Sequence, residues 1–209
     1  MKIQLIRHGM TEGNRHQRYI GITDEPLCEE GRRALLRITE NLQDKSAVPN
    51  RSADLDVRDK SAAPDLLFVS PLLRCRQTAQ ILFPETEQLV IEELAEMNFG
   101  IFENRSFHEG LAHSPEYQKW LDSGCEDPIP GGENKGEFTQ RCICGFEKAV
   151  RKAEEIECRS AAFVVHGGTI MAILSRFAEP EEPASRQMLP PNKQGTAYHE
   201  ILREFPNRS

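Results

Sequence analysis

No stretch of the 209 residues approaches the roughly 18–20 consecutive apolar residues that a membrane-crossing helix needs. The N-terminus, MKIQLIRHG, is charged too early to read as a signal peptide, so a cytoplasmic protein that does not engage a membrane is expected. Positive charge is also scarce. Lys and Arg number 26 against 33 Asp and Glu, a net charge of −7. Such a surface repels nucleic acid and anionic lipid, although a few arginines in one cleft can still hold a small anion. The six cysteines, at 28, 75, 125, 142, 144 and 158, contain no CxxC pair. Cys142 and Cys144 lack a second pair with which to build a metal site, and free thiols in a reducing compartment are expected, with no metal. Aromatics are few, 7% with a single Trp, in a chain 38% hydrophobic and 28% charged. That composition suits one soluble domain spanning 1–209, with room for a small lid.

What is present is one pattern used three times: a short apolar run, a polar or charged switch, then a helical stretch. Ile3-Gln4-Leu5-Ile6 leads into Arg7-His8-Gly9. Leu66-Leu67-Phe68-Val69 leads into Ser70-Pro71 and the helix carrying Arg74. Ala161-Ala162-Phe163-Val164-Val165 leads into His166-Gly167-Gly168. A shorter run, Leu89-Val90-Ile91, precedes Glu96. Runs that are apolar at nearly every position suit strands buried on both faces. Helical spacing over 29–43 (Ala34, Leu35, Ile38, Leu42) and 134–157 (Phe138, Cys142, Phe146, Val150, Ala153) fills the intervals. The expected fold is α/β: three layers, α/β/α, a mostly parallel sheet with helices on both faces.

Ligands in such sheets bind at the carboxyl ends of the strands. Those ends here carry Arg7, His8, Arg74, Glu96 and His166. Arginine's planar fork grips two phosphoryl oxygens and stays charged. A neutral imidazole can attack phosphorus, and a carboxyl can protonate the departing oxygen. Taken one at a time, each residue also reads as ordinary: a solvated strand end, a surface arginine, a turn histidine. Two segments break the pattern. DKSAVPN at 44–50 recurs as DKSAAPD at 59–65, a local duplication inside a polar insertion. Residues 97–133, rich in Phe, His, Pro and Gly, hold one short helix from Ser114-Pro115 to about Leu121 and are expected to form a lid.

RHGMTEGN at 7–14 is similar to the RHGxTxxN signature of the histidine phosphatase superfamily, in the phosphoglycerate mutase-like branch. GITDEPLCEEG (21–31), SPLLRCRQTA (70–79), LAEMNFGIFEN (94–104), IPGGEN (129–134) and VVHGGTI (164–170) follow in the family's order. The α-ribazole phosphatase type is the one most resembled. The resemblance implies that His8 is the phosphorylated nucleophile and Glu96 the proton donor. It implies that Arg7, Arg74, His166 and Asn14 line the phosphate pocket. Gly167, whose backbone can approach phosphate closely, and Thr23 are further candidate contacts, as are Arg15, Arg18 and Tyr19, which follow the phosphate loop. No cofactor or metal is implied. The substrate would be a small phosphorylated metabolite, and a homodimer is compatible with the sequence. Phosphoglycerate mutase-type transfer and a non-catalytic phosphate-sensing module are the alternatives. Family mutases usually carry a longer closing tail than the few residues after AYHEILREF, which favours hydrolysis. Departures from the family pattern are Cys28 for Ser or Thr before a helix, Phe102 for Trp and Asn104 for Gly. Gly9 is expected to let the chain turn beside phosphate.

Overall fold

A computed structural model of the chain describes residues 1–43, 63–108, 110–177 and 200–204, and for 41–43 and 200–204 the backbone only. Most of the duplicated 44–65 insertion and His199 lie outside the described residues. The strands are β1 (Lys2–Arg7), β2 (Leu66–Val69), β3 (Gln88–Val90), β4 (Ser160–Val165) and β5 (Glu200–Glu204). The helices are α1 (Glu12–Arg15), α2 (Glu29–Gln43), α3 (Leu73–Leu82), α4 (Pro115–Asp122), α5 (Lys135–Glu155) and α6 (Gly167–Phe177). The sheet order is β3-β2-β4-β1-β5, with β1 to β4 mutually parallel and β5 antiparallel to β1. The three-layer, mostly parallel α/β arrangement is therefore as expected from the apolar runs.

Alternate residues of each strand serve opposite faces, which is why the runs are apolar throughout. Ala161, Phe163 and Val165 join Ile3, Leu5 and Phe68 under α5 and α6, against Phe146, Ala149, Ile170 and Ile173. Ala162 and Val164 join Ile6, Leu67 and Val69 on the other face, against Cys75 and Ala79 of α3. Phe163 lies 4.8 Å from the Phe68 ring and 4.9 Å from that of Phe146. Its truncation to Ala would cost about 3–5 kcal/mol, since a cavity adds to the lost transfer energy.

Residues 97–133 build a second apolar cluster of their own. Met97, Phe102, Leu111, Tyr117, Trp120 and Ile129 pack together against Phe138 and Cys142 of α5 and Ala172 of α6. Helix α4 begins as expected, with Ser114 Oγ accepting the Tyr117 N–H at 3.3 Å and Pro115 in the first turn. Cys28, standing where the family has Ser or Thr, still caps α2. Its Sγ accepts the Gly31 N–H at 3.3 Å, in the first turn of α2, although sulfur is a poorer acceptor than a hydroxyl.

Candidate active site

The parallel register brings three strand ends side by side. Arg7 pairs with Val165 and Val69 with Val164. One residue further on, His8 N–H bonds Val165 O and Ser70 N–H bonds Val164 O, both at 3.0 Å. The ladder thus places His8 and Ser70 on either side of His166. The two imidazoles meet edge to face with centroids 5.1 Å apart.

His8 is 6% exposed, and its Nδ1 lies 2.6 Å from Gly9 O. A carbonyl only accepts, so Nδ1 carries the hydrogen and Nε2 keeps its lone pair. Burial is the main cause that lowers the His8 pKa from 6.5 to about 3, and the charges of Arg74 and Arg7 act in the same direction against the Gly9 bond. The ring is neutral at ordinary pH. His166 is fully buried, and its Nδ1 accepts from Arg74 Nε at 3.3 Å. Its Nε2 then bears the hydrogen and donates to Ser70 Oγ at 2.6 Å. Burial first, then the neighbouring His8, Arg74 and Arg7, hold His166 well below the usual histidine range.

Arg74 has no exposed surface. Helix α3 presents it from the first turn, where Leu73 N–H meets Asp24 Oδ1 at 2.6 Å. Besides His166 it donates to the carbonyls of Thr23 (2.8 Å), Gly21 (2.7 Å) and Ile20 (3.4 Å). The amide side of that loop is held by Glu103, whose carboxylate accepts the N–H groups of Gly21, Ile22, Thr23 and Phe99 and the Thr23 hydroxyl. Residues 21–23 are therefore clamped between a guanidinium and a carboxylate. One turn along α3, Thr78 Oγ1 accepts Gly9 N–H at 2.9 Å, so one helix fixes Arg74 and the residue after His8. Arg7 is partly buried, with the charges of Glu96 and Arg74 nearby.

Glu96 arrives from a loop rather than from a strand. Its Oε1 accepts Met97 N–H at 3.0 Å and its Oε2 accepts Gly168 N–H at 3.1 Å, in the first turn of α6. A Cβ at Gly168 would stand 2.4 Å from Oε1, so only glycine admits the carboxyl there. Burial raises the Glu96 pKa against the pull of both amides and of Arg74 and Arg7. A carboxyl shifted that way is suited to giving up a proton during reaction.

Of the residues singled out by the sequence, His8, Arg7, Arg74, His166 and Glu96 converge, and Gly167 lies beside Arg7, where an added Cβ would be 3.5 Å from Nε. The others are tied to nearby structure. Asn14 Oδ1 accepts Thr11 N–H in the capping box of α1. Thr23 faces Glu103, and Arg18 Nη1 reaches Asn104 Oδ1 at 3.5 Å. Tyr19 shares a 2.8 Å hydroxyl contact with Tyr117 inside the 97–133 cluster. Gly9 differs from expectation: a Cβ there would meet Leu35 at 2.7 Å and Leu27 at 3.2 Å, so close packing by α2 accounts for it. Ser70, Thr78, Glu103, Glu133 and Arg141 were not marked as functional by sequence. Ser70 had a signal in its place at a strand end, and Thr78, Glu103 and Glu133 lie inside the motif blocks, whereas Arg141 had none.

Two neutral imidazoles, two guanidiniums and a buried carboxyl at the carboxyl edge of a parallel sheet are the equipment of phosphoryl chemistry on histidine. The chain matches the model of the histidine phosphatase superfamily (branch 1) over residues 3–199, and it belongs to that family. The adenosylcobalamin/alpha-ribazole phosphatase of Salmonella typhimurium is 27% identical over 183 residues, covering 85% of this chain and 79% of that one. Among solved structures, the alpha-ribazole phosphatase from Shigella flexneri superposes with a TM-score of 0.66 at 25% identity, over 86% of this chain and 81% of that one. The phosphoglycerate mutase from Thermus thermophilus gives a TM-score of 0.59 at 28% identity, over 86% and 85%. The relatives thus carry both phosphatase and mutase names.

Proposed function

We propose that the chain hydrolyses a small phosphate monoester through a phosphohistidine on His8. The observation that carries this reading is the His8 tautomer: Gly9 O takes the Nδ1 hydrogen and leaves a buried, unprotonated Nε2. Nε2 attacks phosphorus and the ester P–O bond breaks. The departing oxygen takes its proton from the Glu96 carboxyl and leaves as an alcohol. Water then attacks phosphorus and gives its proton to the Glu96 carboxylate. The N–P bond breaks, and inorganic phosphate and neutral His8 are regenerated. Arg7 and Arg74 place fixed positive charge where negative charge spreads over the phosphoryl oxygens, and His166 adds a second imidazole beside it. Among the described residues no three His, Cys, Asp or Glu side chains are grouped to hold a metal ion, and these steps ask for none.

A small phosphorylated metabolite fits a negatively charged chain better than a polyanion does. The names of the relatives put α-ribazole phosphate and phosphoglycerate first among compounds to test. Rapid quenching during turnover should trap phosphate on His8, stable in base and labile in acid. With phosphoglycerate, release of inorganic phosphate supports hydrolysis, whereas efficient isomerisation stimulated by bisphosphoglycerate would replace it with mutase chemistry. Absence of a base-stable adduct under single-turnover conditions would sink the covalent route.

A further inference from the structure

Glu96 stands between two short 3-10 turns, Glu92–Leu94 and Gly100–Phe102, so its own backbone belongs to no strand ladder or helix. The amides of Met97 and Gly168 hold its carboxylate, while one guanidinium gathers the carbonyls of the backbone that leads up to it. Arg141, in the second turn of α5, donates from Nη1 to the carbonyls of Glu93 (2.8 Å) and Ala95 (3.1 Å), and from Nη2 to that of Glu96 itself (3.4 Å). Its other edge is gripped by Glu133: Nε to Oε1 at 2.9 Å and Nη2 to Oε2 at 2.8 Å. The same Glu133 carboxylate accepts Asn98 N–H at 2.9 Å, and Glu133 N–H returns to Asn98 O at 2.9 Å. Backbone from 93 to 98 is thus bracketed on both sides of Glu96 by one bidentate pair. Glu133 belongs to the IPGGEN block, for which the proposed reaction has no direct use.

We infer that Arg141 and Glu133 are positioning residues that hold the Glu96 carboxyl where it can deliver its proton. The inference rests on the reading of Glu96 as proton donor. The two side chains are 26% and 24% exposed, so the pair also contributes to stability, and the test must separate that contribution from a positioning role. Five directed donations from one planar fork are a means of fixing geometry, which a lysine at the same place could not reproduce. The pair acts on the carboxyl through backbone, since its bonds end on main-chain atoms of 93–98 and on each other.

The test uses the full chain and a series of aryl phosphates running from 2,4-dinitrophenyl to phenyl. For Arg141→Lys, kcat on phenyl phosphate should fall about 10-fold to 100-fold, part of what general acid catalysis supplies. On 2,4-dinitrophenyl phosphate, whose leaving group needs little proton, kcat should stay within about threefold, and inhibition by inorganic phosphate should be unchanged. Glu133→Gln, which keeps an acceptor for the fork and is the milder change, should show the same tilt at smaller size. Circular dichroism and melting establish that each variant is folded. Should Arg141→Lys fail to fold, Glu133→Gln carries the test. An equal loss on both esters, or weakened phosphate inhibition without the tilt, would overturn the positioning role. Glu96→Gln is the control: if it shows no leaving-group tilt, the proton-donor reading itself falls. If it does and the folded Arg141 and Glu133 variants do not, only the positioning pair falls.

Discussion

On one side of the site, His8, His166 and Ser70 sit one residue beyond paired strands, and the sheet's own hydrogen bonds set their spacing. On the other side, Glu96 and residues 97–103 lie in loops and single turns, held by charged side chains that bond the backbone: Arg141, Glu133 and Glu103. The difference follows from what each group must do. A nucleophile needs one fixed line of approach to phosphorus, which a rigid strand end provides. A proton donor needs a low-polarity surrounding and a settable distance, which a loop can supply once its carbonyls and amides are tied down.

The sheet side should give the largest effect. His8→Ala removes the attacking nitrogen, and turnover should fall at least about 10³-fold, with the acid-labile adduct lost and the melting temperature little changed. Near-normal turnover in a folded His8→Ala protein would break the comparison at its root. Next comes the loop side. Glu96→Gln should slow phenyl phosphate about 10²-fold or more and 2,4-dinitrophenyl phosphate far less. Equal slowing of both would mean that Glu96 does not donate the proton.

The two sides should also separate by pH. His8 must be unprotonated, and its pKa is lowered to about 3, so protonation of this ring limits kcat/KM only in strongly acid solution, not near 6.5. Glu96 must be protonated, and its pKa is raised, so activity on poor leaving groups declines as pH rises through that value. An activity maximum between the His8 and Glu96 values is expected, and Glu96→Gln should flatten its alkaline limb. An acid limb centred near 6.5 would mean that His8 is not buried as described.

What the sequence made legible was the sheet side. Apolar runs ending in Arg7-His8, Ser70 and His166 are local signals, and parallel register brings them together without further information. Helices 29–43 and 115–122 were readable for the same reason, from periodicity and a Ser-Pro start. The loop side was not legible, because its fixing contacts are long-range. Glu103 binds amides some 80 residues earlier, and Arg141 binds carbonyls up to 48 residues earlier, so Arg141 looks like an ordinary surface charge in the sequence and the motif around Glu103 does not show what it holds. Strand β5 was missed too. EILRE carries only two apolar residues, and its extended form comes from antiparallel pairing with β1.

Glu103 links the two sides, because its carboxylate holds the amides of 21–23 while Arg74 holds the carbonyls. Glu103→Gln leaves one acceptor oxygen for several donors, and a loss of about 1–3 kcal/mol is expected in urea unfolding. Arg74 should loosen with the loop, so inhibition by inorganic phosphate should weaken severalfold, an effect not expected for Glu96→Gln. Unchanged phosphate inhibition in a destabilised Glu103→Gln would show that the loop and the phosphate pocket are independent.

The smallest effect concerns Asn104, which stands where the family pattern has glycine. Its φ is +55°, and its N–H bonds Tyr19 O at 2.8 Å, so the position needs a left-handed residue to close 97–104 back onto the segment after α1. Asparagine tolerates that region better than other residues with a Cβ, which explains how the substitution is accommodated. Asn104→Ala should lower stability by about 1 kcal/mol in urea unfolding, while Asn104→Gly should keep or raise it. Neither should alter turnover by more than about twofold, because the strain is borne by the backbone at a turn and not by the groups around His8. If Asn104→Ala were as stable as the parent protein, the positive φ would not be a requirement of the fold. The loop side would then be less tightly determined than its hydrogen bonds imply.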